Sequence, residues 1–138
     1  MSLSFNWEWI PNQRIGPFVF GQPIPKECLK LVEKLEPDCE NADWETYAVF
    51  VEEGKPNVAR AHVENGEVVT VEVKDTCSYL SRNLIGMKTS EVQLLVGGKW
   101  TIESKWTNGC QIDNDALGIS IWDEDGVVES VTIGTYSS

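Results

Sequence analysis

The chain has 138 residues, with 22 Asp and Glu against 11 Lys and Arg and a formal net charge of −11 at pH 7. That balance argues against nucleic acid and anionic membrane as partners, because their phosphates would be repelled, and it favours a basic protein partner. An apolar fraction of 41% is enough for a core and argues against disorder, while six Trp call for burial or a contact surface.

In chain order, the opening stretch MSLSFNWEWIPNQ lacks the basic and apolar regions of a secretory signal. No apolar run approaches the roughly 20 residues of a membrane span, so the expected location is the cytoplasm. Residues 4–10 alternate and predict a lead-in strand, followed by turns at Gly16-Pro17 and Gly21. Cys28, Leu31, Val32 and Leu35 form one apolar stripe at helical spacing. Pro25 suits its first turn and Pro37 its stop, which predicts a helix. Three period-two runs then predict strands: Tyr47, Val49 and Val51; Ala59, Ala61 and Val63; and Val69, Val71 and Val73. Asn65-Gly66, between the last two, fits a type I′ hairpin turn.

The second half repeats this order. Leu84-Ile85-Gly86-Met87 echoes Val19-Phe20-Gly21-Gln22, and Thr89 stands as the N-cap of a helix carrying Val92, Leu95 and Val96 that ends at Gly97-Gly98. Strands are expected at Trp100–Trp106, around Ile119 and Ile121, and around Val131 and Ile133, with Asp125-Gly126 as the turn between the last two. At an offset of 60, residues 59–66 lie on residues 119–126. The expected fold is therefore α+β, a single compact domain over 1–138. It holds two diverged repeats, roughly 14–75 and 82–135, each a helix followed by antiparallel strands, with the helices packed on one face of the sheet.

The segment Leu84-Ile85-Gly86-Met87-Lys88-Thr89-Ser90-Glu91-Val92-Gln93-Leu94-Leu95-Val96-Gly97 resembles the Gly-Met helix start of the BamE-like and beta-lactamase-inhibitor-protein-like folds. The resemblance extends to bacterial toxin-immunity proteins. It covers 84–133 and, more loosely, 18–73, where Gln22 stands in place of the Met and Pro23 and Pro25 crowd the entry. The resemblance implies a tandem αβββ unit whose open sheet grips a partner, and hence a cytoplasmic inhibitor or immunity protein that occludes a basic toxin.

Catalytic signals are sparse. His62 is the one histidine, and it lies out of phase with Ala61 and Val63, so it should face away from the core. No nucleophile elbow, phosphate loop or dinucleotide fingerprint is present. Asp113, Asp115, Asp123, Glu124 and Asp125 fit no calcium loop and read as solvated loop acids. The four cysteines, Cys28, Cys39, Cys77 and Cys110, form no C-x-x-C; export would allow the pairs Cys28–Cys39 and Cys77–Cys110. The expectation is a non-enzyme without cofactor or metal. Strand alternation places Phe50, Arg60, His62, Glu72, Glu103, Trp122, Asp123 and Glu124 on or beside a free sheet face, as candidate contacts to a basic protein. The alternative is a small-ligand-binding module or a homodimer formed through a sheet edge.

Overall fold

The structure, a computed structural model, describes residues 7–35, 44–50 and 57–134. Its centre is an eight-stranded antiparallel sheet in the order β10-β11-β12-β13-β7-β6-β5-β4. The first four-stranded meander comprises β4 (Val32–Leu35), β5 (Trp44–Phe50), β6 (Asn57–Glu64) and β7 (Glu67–Val73). The second comprises β10 (Thr101–Trp106), β11 (Gly109–Asn114), β12 (Ile119–Glu124) and β13 (Val127–Gly134). Short strands β1 (Trp9–Ile10), β2 (Arg14–Ile15) and β3 (Phe18–Val19) precede the first meander. The hairpin β8 (Ser78–Tyr79) and β9 (Arg82–Asn83) precedes the second.

The predominance of strand overturns the expected fold class. The helix foreseen from Pro25 to Leu35 is only a 3-10 turn over Lys26–Leu31, after which Val32–Leu35 runs on as edge strand β4 beside β5. Cys28 and Leu31 still point inward, because residues three apart also align on a 3-10 turn. The unpaired backbone edge of β5 then claims Val32–Leu35, and ladder hydrogen bonds outweigh a short helix of weak propensity. Pro37 lies outside the described residues. One α-helix is present among the described residues, α1 (Thr89–Val96), and it ends where foreseen: Gly97 at φ 77° closes it with a backbone N–H to Gln93 O at 2.9 Å. Each meander also has four strands where three were expected; β4 and β11 have no counterpart in the expected pattern. Two helix-plus-strand repeats with helices laid on the sheet do not describe this chain.

What does recur at the offset of 60 is strand register. Ala59↔Val73, Ala61↔Val71, His62↔Thr70 and Val63↔Val68 in β6–β7 match Ile119↔Ile133, Ile121↔Val131, Trp122↔Ser130 and Asp123↔Val128 in β12–β13. Both ladders carry a bulge at the same step, leaving Val69 and Glu129 as the extra residues. The two positive-φ turns, Asn65-Gly66 and Asp125-Gly126, close the two hairpins. Gly21 N–H to Val68 O and Val68 N–H to Gln22 O, at 2.9 and 2.8 Å, are matched by Gly86 N–H to Val128 O and Val128 N–H to Met87 O, both 2.9 Å. The meanders join through β7 and β13, where Val73↔Val131, Glu72↔Thr132 and Val71↔Ile133 pair antiparallel. Equivalent positions thus pair across the seam, as across a two-fold interface.

Alternation gives the sheet two unlike faces. Val49, Ala59, Ala61, Val68, Val71, Val73, Ile119, Ile121, Val131 and Ile133 make the buried face. Trp7, Trp9, Ile15 and Phe18 from the first residues, with Cys28, Cys77, Leu84 and Val92, complete the core against it. The expected core position of Val69 is taken by Val68, because the bulge shifts the phase by one residue. Burial pushes the Cys77 thiol up to about 12 and that of Cys28 up to about 11. Cys28, Cys77 and Cys110 are free, so the Cys77–Cys110 bridge is not formed, and Cys39 lies outside the described residues.

Candidate functional site

The outer face of the sheet is the candidate site. Across it runs a row of paired positions: Ala48, Arg60, Glu72, Thr132, Ser120 and Asp113. A second row carries Thr46, His62 and Thr70 in one meander, and Gln111, Trp122 and Ser130 in the other. Arg60 and Trp122 are exposed, and His62, Glu72, Thr132 and Ser130 are half-buried. Ala48 and Ser120, in the first row, are buried.

Trp122 is the most prominent group, 43% exposed on β12. Its indole meets that of Trp106 at a centroid separation of 4.4 Å and an interplanar angle of 33°. Both rings donate to one carboxylate oxygen, Glu124 Oε1: Trp106 Nε1 at 3.1 Å and Trp122 Nε1 at 3.2 Å. Trp106 reaches this position over Gly109, its partner across the two-residue turn Thr107-Asn108. A Cβ on Gly109 would lie 2.7 Å from Trp106 Nε1 and 2.0 Å from the Asp123 carbonyl oxygen. Only glycine leaves room for the ring to cross. On the other side of Trp122, toward β13 and β7, is a depression of about 400 Å³ lined by Glu72, Lys74, Trp122, Glu129 and Ser130. The matching depression in the first meander, about 370 Å³, is lined by Trp44, His62, Glu64, Val69 and Thr70. Each opens at the bulge of its hairpin, where the extra residue bends the strand.

Polar contacts flank Trp122 on the β11 side and His62 on the β5 side. Ser120 Oγ donates to Asp113 Oδ1 at 2.6 Å, and Gln111 Nε2 donates to Ser120 Oγ at 3.1 Å. His62 Nδ1 is 3.1 Å from Thr46 Oγ1. Burial holds the His62 pKa below its usual value; the Glu72 charge pulls it back up and Arg60 pushes it further down.

Of the expected contact residues, Arg60, His62, Glu72, Trp122 and Glu124 share this face. Asp123 does not: it is 7% exposed on the core side, accepts the Thr89 hydroxyl, and takes the Gly126 N–H at 3.2 Å. It therefore fastens the start of α1 to the β12–β13 turn, and Thr89 is a tether rather than the N-cap, which is Lys88. Glu103 sits exposed at a bulge in edge strand β10, between Ile102 and Ser104. Phe50 is half-buried at the end of β5 beyond a register shift, away from the Trp122 depression. Sequence periodicity alone misses Trp106. It puts Trp106 in phase with Ile102, and the β10 bulge moves it to the opposite face. Trp106-Thr107-Asn108-Gly109, a Trp before a tight turn ending in glycine, is the signal that could have found it.

Among the described residues, no group of three or more His, Cys, Asp or Glu could hold a metal ion, and no helix is long and apolar enough to cross a membrane. Comparison with protein-family models gives no match, and no curated protein matches the chain. Among solved structures, the fold is similar to the crystal structure of the uncharacterized protein yfeY from Escherichia coli. The TM-score is 0.62 at 10% identity, over 94% of this chain and 99% of that one. The likeness is one of fold. It replaces the expected resemblance to BamE-like and beta-lactamase-inhibitor-protein-like folds, whose Gly-Met motif marks here only the turn before α1.

Proposed function

We propose that the chain is a non-catalytic binding protein whose open sheet face docks a basic partner protein. The observation that carries this reading is the outer face, on which exposed Trp122 stands among Glu72, Glu124 and Glu129. Trp and Arg anchors in a polar field are the usual composition of a protein–protein contact centre. The net charge of −11 supplies long-range attraction for a positive surface and would speed association. The His62 ring hydrogen-bonds Thr46 on this face. Free Cys28 and Cys77 fit a reducing compartment such as the cytoplasm.

The test is affinity capture from the source organism with wild type and Trp122→Ala as paired baits. A basic protein should be retained by wild type, released as salt rises from about 0.05 to about 0.5 M, and retained about tenfold less by the variant. Equal retention by both baits, or a captured partner that is acidic, contradicts the reading.

A further inference from the structure

We propose that the depression beside Trp122 is a subsite for a single cationic side chain, an arginine guanidinium or a lysine ammonium, presented by the partner. This rests on the docking reading above and specifies its anchor. Trp122 lines the depression, and Trp106 packs on its indole at 4.4 Å from the β10 side. A cation over an indole face is attracted by the ring quadrupole. Glu72 and Glu129 bring two carboxylates to the same depression, and Ser130 adds a hydroxyl acceptor. The orientation of the ring is set beforehand, because Glu124 holds both indole N–H groups and Gly109 clears the path of Trp106. A guest therefore meets an aromatic surface that loses little further freedom on binding. The volume, about 400 Å³, admits one long side chain.

Lys74 lines the same depression. It is an internal competitor: it offsets one of the two carboxylates and leaves the site with one negative charge in excess. Removing it should strengthen the binding of a cation. A general loss of structure could not produce that sign.

The probe is Nα-acetyl-arginine N-methylamide, with the neutral citrulline analogue as control and the indole N–H resonances of Trp122 and Trp106 as readout. The arginine probe should move the Trp122 resonance saturably at about millimolar concentration, and the citrulline probe should move it several-fold less. Glu129→Gln should weaken the arginine response about threefold or more, and Lys74→Ala should strengthen it about threefold. Equal responses to the two probes, no response, or weaker binding by Lys74→Ala overturns the subsite. A parallel capture separates this from the docking reading. If a double variant, Glu72→Gln with Glu129→Gln, retains the basic partner as well as wild type does, the subsite falls and the docking face stands. If wild type retains no basic partner, the docking reading itself falls.

Discussion

Trp9 and Trp122 show how one residue type serves two ends in this chain. Trp9 is 2% exposed, packs on Tyr79 at 5.0 Å, and its buried indole N–H has no hydrogen-bond partner among the described residues. A buried donor left unpaired opposes folding, so Trp9→Phe, which deletes the donor and keeps most of the ring, should change stability by less than about 1 kcal/mol. Trp9→Ala leaves a cavity and should cost about 3–5 kcal/mol in denaturant unfolding. His62 gives a pH prediction. Its pKa is lowered by burial from an ordinary 6.5, so between its folded value and 6.5 the unfolded chain binds more protons. Its contribution to stability is complete above 6.5 and is lost as pH falls through that window. In thermal melts between about pH 5 and 7.5, His62→Gln should flatten the acid-side decline of the midpoint. An unchanged decline would mean that His62 titrates alike in the folded and unfolded chains.

At the scale of elements, the hairpins were legible and their faces only partly so. Asn65-Gly66 and Asp125-Gly126 marked both turns from sequence because a type I′ turn needs two positive-φ residues, and all four adopt them. The bulges were not legible. A bulge inserts one residue without any composition signal, and each inverts the phase of the residues beyond it: Val68 replaces Val69 in the core, and Trp106 crosses to the outer face. Residues 25–35 failed for another reason. Their stripe suits a 3-10 turn and a strand as well as a helix, and the choice is made by the exposed edge of β5, which sequence periodicity does not contain. The β10–β11 hairpin yields a prediction. Gly109→Ala should cost at least about 1–3 kcal/mol, since the Asp123 carbonyl oxygen stands 2.0 Å from the new Cβ. It should also displace the Trp106 ring, so the near-ultraviolet circular dichroism of the indole pair should fall towards that of Trp106→Phe, in which the pair is abolished.

For the molecule as a whole, composition foretold a charge imbalance, and part of it lies on the outer face of the sheet. Glu72, Glu124 and Glu129 gather near Trp122, while only two ion pairs, Arg14–Glu8 and Lys34–Glu45, occur among the described residues, both away from that surface. With −11 mostly uncompensated, self-repulsion should destabilise the compact state at low salt. The melting midpoint should therefore rise between about 10 mM and about 0.3 M NaCl, where screening shortens to less than the spacing of most surface charges. The meanders meet symmetrically at β7 and β13, yet the equivalent positions His62 and Trp122 differ, so the two halves of the face present different chemistry to a partner. That outer face as a docking surface is the central claim, and site-specific photo-cross-linking in extracts of the source organism tests it most directly. With the photoreactive side chain at Ser130 or Thr132 on the outer face, a discrete adduct with one basic protein is expected; at Leu29, on the 3-10 turn that helps cover the opposite face, none is expected. Adducts at Leu29 with none at Ser130 and Thr132 would contradict it.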